Sequence, residues 1–370
     1  MTDHGDLIHR IALSSIHGIN PDTATRITTT LGGLREFFEM PEQTLRSRLE
    51  SSSRLLSDQV RQKALREAAT EIAFVERNSI HTLWYTDPHY PQRLLECTDA
   101  PLMLYTLGDT DLNAARIVSI VGTRHATAYG ISFVETLVKD LASRLTDPLI
   151  VVSGLAYGID IAAHRAALKE GVPTVGVLAH GLNTIYPAAH RDSAARMIHS
   201  GGMLLTDYRS VDAIHRGNFL ARNRIVAGMA DCLVVAESDS HGGALVTARL
   251  ASAYARDVFA LPGRISDRYS RGCNALISDD IAHLITSADD LIALMRWPVK
   301  APEGTQPTLF PQLSPQEEAI TTLLADRGEA TLSDLITALD TRAHLLMSTL
   351  IDLESRGLIL ALPGSRYRLA

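Results

Sequence analysis

Apolar positions along the chain follow two rhythms. Between residues 80 and 298, short apolar and β-branched runs stand at Arg116 to Val121, Leu149 to Val152, Pro173 to Leu178, Met203 to Leu205, Cys232 to Ala236 and Val258 to Leu261. Between them lie stretches with helical spacing, among them Ile131 to Leu145, Ile159 to Glu170 and Leu245 to Arg256. Near-continuous apolar runs alternating with amphipathic helices predict an α/β architecture, a mostly parallel sheet covered by helices on both faces. Ligands of such sheets sit beyond the strand C-termini, on the loops. Residues 1–75 show only the helical rhythm, split at Gly18 to Pro21 and at Gly32-Gly33. Residues 299–313 hold Pro302, Pro307 and Pro311 without apolar period and read as a linker. Residues 314–370 predict helices over Pro315 to Leu324, near Leu332 to Leu339 and over Ala343 to Ser355, closed by a two-stranded wing in GLILALPGSRYRLA.

Two of these segments resemble known modules. HGINPDTATRI is similar to a helix-hairpin-helix, so residues 1–75 are expected to form a helical domain of helix-hairpin-helix or SAM-like type. Helix-helix-helix-wing over 314–370 is the winged-helix pattern, yet this tail carries eight acids against five arginines. Its third helix offers leucines and no basic residue, which favours a protein-interaction or regulatory module over a duplex reader.

Composition narrows the classes. No run of about 18 uncharged apolar residues is present, so no membrane span is expected, and MTDHGDLIHR lacks the basic start and apolar core of a secretory signal. Cys97, Cys232 and Cys273 are odd in number and widely spaced, against a disulfide framework or zinc site and for a reducing cytoplasm. The formal net charge of -7 argues against a general polyanion binder. Of 35 basic residues only Lys63, Lys139, Lys169 and Lys300 are lysines, and arginine is the base that forks onto phosphate.

The candidate chemistry gathers at the predicted strand ends. VGTRHATAYG puts Gly122 in a turn and Arg124 on the loop beyond it, ahead of a helix whose free amides favour an anion. VSGLAYGIDIAAHRAAL adds Ser153, Gly154 and Gly158 before a helix, with Asp160 and His164 one turn apart. That pair suits either acid-base work or a structural hydrogen bond. VLAHGLNTIYP adds Gly181, with His180 as a strut or a catalytic group. GNFLARNR carries Asn218, Phe219, Arg222, Asn223 and Arg224, and no carboxylate lies between Ala213 and Ala230. One of the two arginines is expected to reach a phosphate while the other holds the loop. The alternative is that both pair with acids such as Asp160, Asp207 or Glu237. ESDSHGGALVTA adds Gly242, Gly243 and Thr247, and LPGRISDRYSRG adds Arg264, Arg268 and Arg271. The glycine fingerprint GxGxxG is absent, so no dinucleotide cofactor is expected. With 5% aromatic residues a broad base-stacking platform is not expected; Phe219 and Tyr157 are the rings nearest the loops.

Together IVGTRHATAYG, VVSGLAYGIDIAAHRAAL, VGVLAHGLNTIYP, FLARNRIVAG, GGALVTARLA, VFALPG and GCNALI resemble the DNA-processing protein A family (DprA/Smf), in family order over 117–277. The resemblance implies an extended Rossmann-like fold, dimeric through that domain. It implies a cytoplasmic protein, not an enzyme, that binds single-stranded DNA without sequence readout, protects incoming DNA and loads the RecA recombinase in natural transformation. The family's DNA contacts fall on Arg124, Arg222, Asn223 and Arg224, and its pocket glycines on Gly122, Gly154, Gly158, Gly181 and Gly243. Ser153, Asn218, Phe219, Gly242 and Thr247 complete the expected site. Two departures stand out: Leu220 replaces a common proline, and Gly242-Gly243-Ala244 replaces Ser-Gly-Ser, removing two hydroxyls. The competing enzyme reading is a phosphoribohydrolase of the LOG type, which shares sheet and glycine loops. There the catalytic glutamate follows the glycine-rich motif, whereas here Glu237 precedes it.

Overall fold

The computed structural model describes residues 4–300 and 313–370. Nine strands form one sheet: β1 (His81–Trp84), β2 (Met103–Gly108), β3 (Arg116–Val121), β4 (Leu149–Ser153), β5 (Thr174–Val177), β6 (Met203–Thr206), β7 (Cys232–Val235), β8 (Asp257–Ala260) and β9 (His283–Leu284). Their spatial order is β1-β2-β6-β5-β4-β3-β7-β8-β9. From β6 to β9 all neighbours are parallel, whereas β2 runs antiparallel to β6 and β1 antiparallel to β2. The mostly parallel sheet is therefore as expected, with the β1–β2 hairpin added at one edge.

Alternate residues of β3 explain why its sequence reads as one apolar run. Ile117 and Val121 enter the core on one face, Val118 and Ile120 the core on the other. The same split places Val152 and Val235 on the first face and Val151 and Val234 on the second. A strand buried on both sides needs apolar residues at every position.

Five helices precede the sheet: α1 (His4–Ser14), α2 (Pro21–Leu31), α3 (Leu34–Glu39), α4 (Glu42–Arg48) and α5 (Asp58–Arg77). Asn20 caps α2 by accepting the Thr23 amide at 3.0 Å, and Pro21 sits at its start, where no amide is needed. These helices do not stand apart from the sheet. Ile11, Phe37 and Ile72 share one continuous core with Ile117 and Leu205, and the chain up to Lys300 forms one compact unit. The boundary expected between a 1–75 domain and an 80–298 domain is thus a packed junction, because the α1 to α5 bundle buries its apolar face against the sheet unit.

Eight helices belong to the sheet region: α6 (Gln92–Leu95), α7 (Ala128–Arg144), α8 (Ile159–Lys169), α9 (Arg191–His199), α10 (Arg216–Gly228), α11 (Gly243–Ala253), α12 (Arg271–Ser278) and α13 (Ala288–Met295). The chain after Lys300 forms the second compact unit. Of the expected 299–313 linker, 301–312 lies outside the described residues. The second unit contains α14 (Pro315–Arg327), β10 (Glu329–Thr331), α15 (Leu332–Leu339), α16 (Ala343–Ser355), β11 (Ile359–Leu362) and β12 (Arg366–Leu369). Its strands form an antiparallel sheet ordered β10-β12-β11 over a core of Ile320, Leu324, Leu335, Leu346, Leu350 and Leu353. The two-stranded wing thus gains β10 as a third strand.

Candidate functional site

The strand order places the topological switch point between β3 and β7, the first strand of each winding direction. Loops from three strands are tied there. The Thr123 amide donates to the Glu237 carbonyl at 2.7 Å, and the Ile159 amide donates to the Thr123 carbonyl at 3.2 Å. Arg124 leaves from this junction. It is exposed, and its guanidinium lies 5.7 Å from the centre of the Phe219 ring on α10. Gly158 makes the junction possible. Its φ is +76°, and a Cβ there would meet the Thr123 carbonyl and the Arg124 backbone. The β3 loop, the β4 loop and the start of α10 therefore converge around one free guanidinium.

Arg222 and Arg224 behave differently from that expectation. Arg222 is 5% exposed and points under the loops. It donates to the Gly154 carbonyl at 2.7 Å and to the Val177 carbonyl, joining the ends of β4 and β5. Gly154 leaves room for it, since a Cβ there would press on the guanidinium. Burial pulls the Arg222 pKa down, and the buried Asp160 opposes this. Asp160 is in turn pushed up by burial, with Arg222 opposing. Arg224 donates to Asp207 and to the Asp99 carbonyl. Arg224 thus pairs with an acid, as the alternative reading held for both, whereas Arg222 is held by carbonyls from distant segments.

The other expected residues divide the same way. Ser153 is buried and donates to the Ile120 carbonyl at 2.6 Å; Thr247 is buried and donates to the Gly243 carbonyl at 3.3 Å. Neither hydroxyl faces the rim. Gly122 packs against Ile159, and Gly181 against the Arg209 backbone. Asn218 donates to the Ala213 carbonyl at 3.1 Å, and Asn223 accepts from Arg222 Nε at 3.3 Å. Gly242 precedes α11, and Gly243 opens it with free space where a side chain would be.

The groups suited to acid-base chemistry are occupied internally. His164 is fully buried, its Nδ1 lies 2.8 Å from Thr174 Oγ1, and Nε2 has no partner. Thr174 donates its own proton to the Val151 carbonyl, so its oxygen accepts from His164 Nδ1–H and the ring is neutral. Burial moves the His164 pKa down to about 3. Asp160 accepts the Ala156 amide at 3.4 Å, so the expected Asp160–His164 pair resolves into two separate structural roles. His180 accepts the Tyr186 amide at Nε2 at 3.2 Å, the strut role, and burial lowers its pKa. Glu237, 3% exposed, accepts the Thr127 amide at 2.8 Å and hydroxyl at 2.6 Å, securing the start of α7.

Several aromatic rings meet at these loops. Tyr186 meets Phe219 edge-on at 5.6 Å, Tyr157 meets His190 edge-on at 4.8 Å, and His125 stacks on Tyr269 at 6.2 Å. Tyr186, His125 and Tyr269 are the additions that spacing alone did not single out, because a ring's exposure depends on tertiary packing. A cavity of about 800 Å³ lies nearby, between the His17–Asn20 turn and α10. It is lined by Asp99, Asp207 and Asp212, and its two arginines, Arg209 and Arg224, are already ion-paired. Its charge does not suit a polyanion, unlike the Arg124 rim.

Fold and rim define a Rossmann-like α/β protein whose strand-end loops carry an exposed guanidinium among aromatic rings. The chain belongs to the family described as DNA recombination-mediator protein A, whose pattern matches residues 81–296. It is 39% identical over 207 residues to DNA processing protein DprA of Streptococcus pneumoniae, covering 56% of this chain and 71% of that one. It is 32% identical over 313 residues to Protein Smf of Escherichia coli, covering 81% and 80%. DNA processing protein A of Streptococcus pneumoniae superposes with a TM-score of 0.64 at 30% identity, over 79% of this chain and 98% of that chain. DNA processing protein A of Helicobacter pylori, studied for its single-stranded DNA binding mode, superposes with a TM-score of 0.52 at 31% identity, over 59% and 95%.

Proposed function

We propose that this protein binds single-stranded DNA without sequence readout, protects incoming DNA and delivers it to the RecA recombinase during natural transformation. In this reading it acts in the cytoplasm as a homodimer through the sheet unit and catalyses no reaction. The observation that carries it is the exposed Arg124, without an ion pair among the described residues, held over Phe219 where the β3, β4 and α10 segments converge. A guanidinium and glycine-flanked amides contact phosphate whatever the base, which is what sequence-tolerant binding requires. The Helicobacter pylori relative lends the substrate class. Gly122, Gly158, Gly181, Gly242 and Gly243 line or shape the loops, and Arg222 serves as the internal brace. The phosphoribohydrolase alternative needs a free carboxylate at the loop edge, and the engagement of Glu237 with α7 speaks against it.

The test is fluorescence anisotropy with labelled oligo-dT and with a duplex of equal length, across salt. Tight binding of the single strand, weak binding of the duplex and affinity falling linearly on a log–log salt plot are expected. Equal affinity for both forms overturns the reading, as does release of free adenine from AMP.

A further inference from the structure

We infer that Tyr157 and Tyr186 form a stacking surface for unpaired nucleobases, and that Phe219 serves to aim Arg124 rather than to stack on a base. This rests on the reading of the rim as a single-strand site and assigns the base contacts within it.

Three observations carry the inference. The first is distribution. Among the described residues the exposed tyrosines are Tyr129, Tyr157 and Tyr186, and all three follow strand C-termini of the sheet. The other described tyrosines are buried or half-buried. Rings scattered over the surface by chance would not share one edge. The Tyr129 hydroxyl donates to the Pro262 carbonyl at 2.7 Å, which accounts for its position as a tie between α7 and the β8 loop. Tyr157 and Tyr186 have no such tie: neither hydroxyl has a hydrogen-bond partner among the described residues.

The second is preorganisation. Tyr157 is 48% exposed and Tyr186 is 51% exposed, yet each meets one neighbouring ring in a T-shaped pair. Tyr157 abuts His190, which is buried and donates from Nδ1 to the Leu155 carbonyl at 2.8 Å. Tyr186 abuts Phe219 and is anchored through its amide to His180. A T-shaped neighbour fixes the plane of a ring and, whichever of the two presents its edge, covers at most one face of it. Such a ring meets a base with little further loss of freedom.

The third is the position of the charge. Arg124 lies over the Phe219 ring, and Phe219 forms a T-shaped pair with Tyr186. Phe219 is half-buried and already engaged by Arg124 and Tyr186, so its role is to orient the guanidinium. Gly158 brings the Tyr157 loop against the Arg124 backbone. Two open faces thus flank one phosphate-seeking cation, the combination that single-strand sites use. In a duplex the base faces are already stacked on each other, so this surface selects unpaired strands over paired ones.

The experiment compares oligo-dT with an abasic deoxyribose-phosphate chain of equal length and label, using the full-length protein at fixed salt. Tyr157→Ala and Tyr186→Ala are each expected to weaken oligo-dT binding about tenfold, and to change binding of the abasic chain less than about twofold. The salt slope stays as in the parent, because no phosphate contact is lost. Tyr186→Phe and Tyr157→Phe retain parental affinity, since the ring and not the hydroxyl acts, and they separate stacking from loss of fold. Equal losses on both polymers would mean that the rings only support the loops, and would overturn the inference. So would alanine variants that bind oligo-dT like the parent. A parent protein that binds neither polymer sinks the single-strand reading itself, a separate outcome.

Discussion

Two arginines with no acid within two helical turns in sequence look alike, but their burial separates what each does. Arg124 is exposed and free, whereas Arg222 is sealed beneath the loops with the Gly154 and Val177 carbonyls as its acceptors and Asp160 nearby. Arg124→Ala is therefore expected to weaken oligo-dT binding and lower the salt slope by about one, with thermal stability unchanged. Arg222→Ala leaves two strand-end carbonyls unpaired and a buried carboxylate uncompensated. Removing one partner of such a buried set costs about 3–5 kcal/mol, so the variant is expected to lose most of its stability in urea titrations. Both contrasts are read from one pair of measurements, unfolding midpoint and anisotropy. An Arg222→Ala protein as stable as the parent, with its salt slope reduced, would return Arg222 to the DNA-contacting set.

The element that presents these side chains is held from a direction the sequence does not advertise. The segment between β6 and α10 is clasped by α5: Glu71, nearly fully buried, accepts the Ser210 amide at 2.9 Å and hydroxyl at 2.6 Å. Glu67 pairs with Arg209 at 2.8 Å, and Arg209 pairs with Asp212 at 2.7 Å. The helical segment thus sets where α10 begins. Glu71→Ala removes an acceptor from a buried amide, at a cost of about 1–3 kcal/mol. It is expected to speed hydrogen exchange at the Ser210 amide and to weaken oligo-dT binding several-fold; an amide as protected as in the parent would show that the clasp is not what holds the loop. Strands β3 to β8 were legible because burial on both faces leaves mostly apolar residues. The β1–β2 hairpin was not, since His81 and Thr82 interrupt any apolar run. The partners of the arginines were hidden for a different reason. A stretch without carboxylates says nothing of its neighbourhood in space, and Arg224 finds Asp207 and the Asp99 carbonyl 17 and 125 positions away.

At the scale of the whole chain, charge and the tail have to be reconciled with a polyanion as ligand. The net charge is -7, and residues 314–370 contribute eight acids and five arginines to it. Helix α16 turns Leu346, Leu350 and Leu353 into the core of the second unit and leaves Leu345, Met347 and Ile351 exposed, with no basic residue among its thirteen. Arg356, just beyond it, is paired with Glu317 and with Asp352, and Arg366 pairs with Glu329 at 3.1 Å. A surface of this kind suits an apolar protein contact and repels phosphate, so the tail should add nothing to strand affinity. The size of its effect depends on salt. At physiological ionic strength the Debye length is about 8 Å, and the tail's excess negative charge acts only at short range. At about 0.01 M it is about 30 Å, and repulsion between the tail's excess negative charge and a polyanion is weakly screened. A chain ending at Lys300 is therefore expected to bind oligo-dT within about twofold of the full chain at physiological salt and more tightly at low salt. Anisotropy on the two proteins side by side decides it: a truncated chain that binds much more weakly at both salts would place strand contacts in the tail and remove the rim's claim to be the whole site.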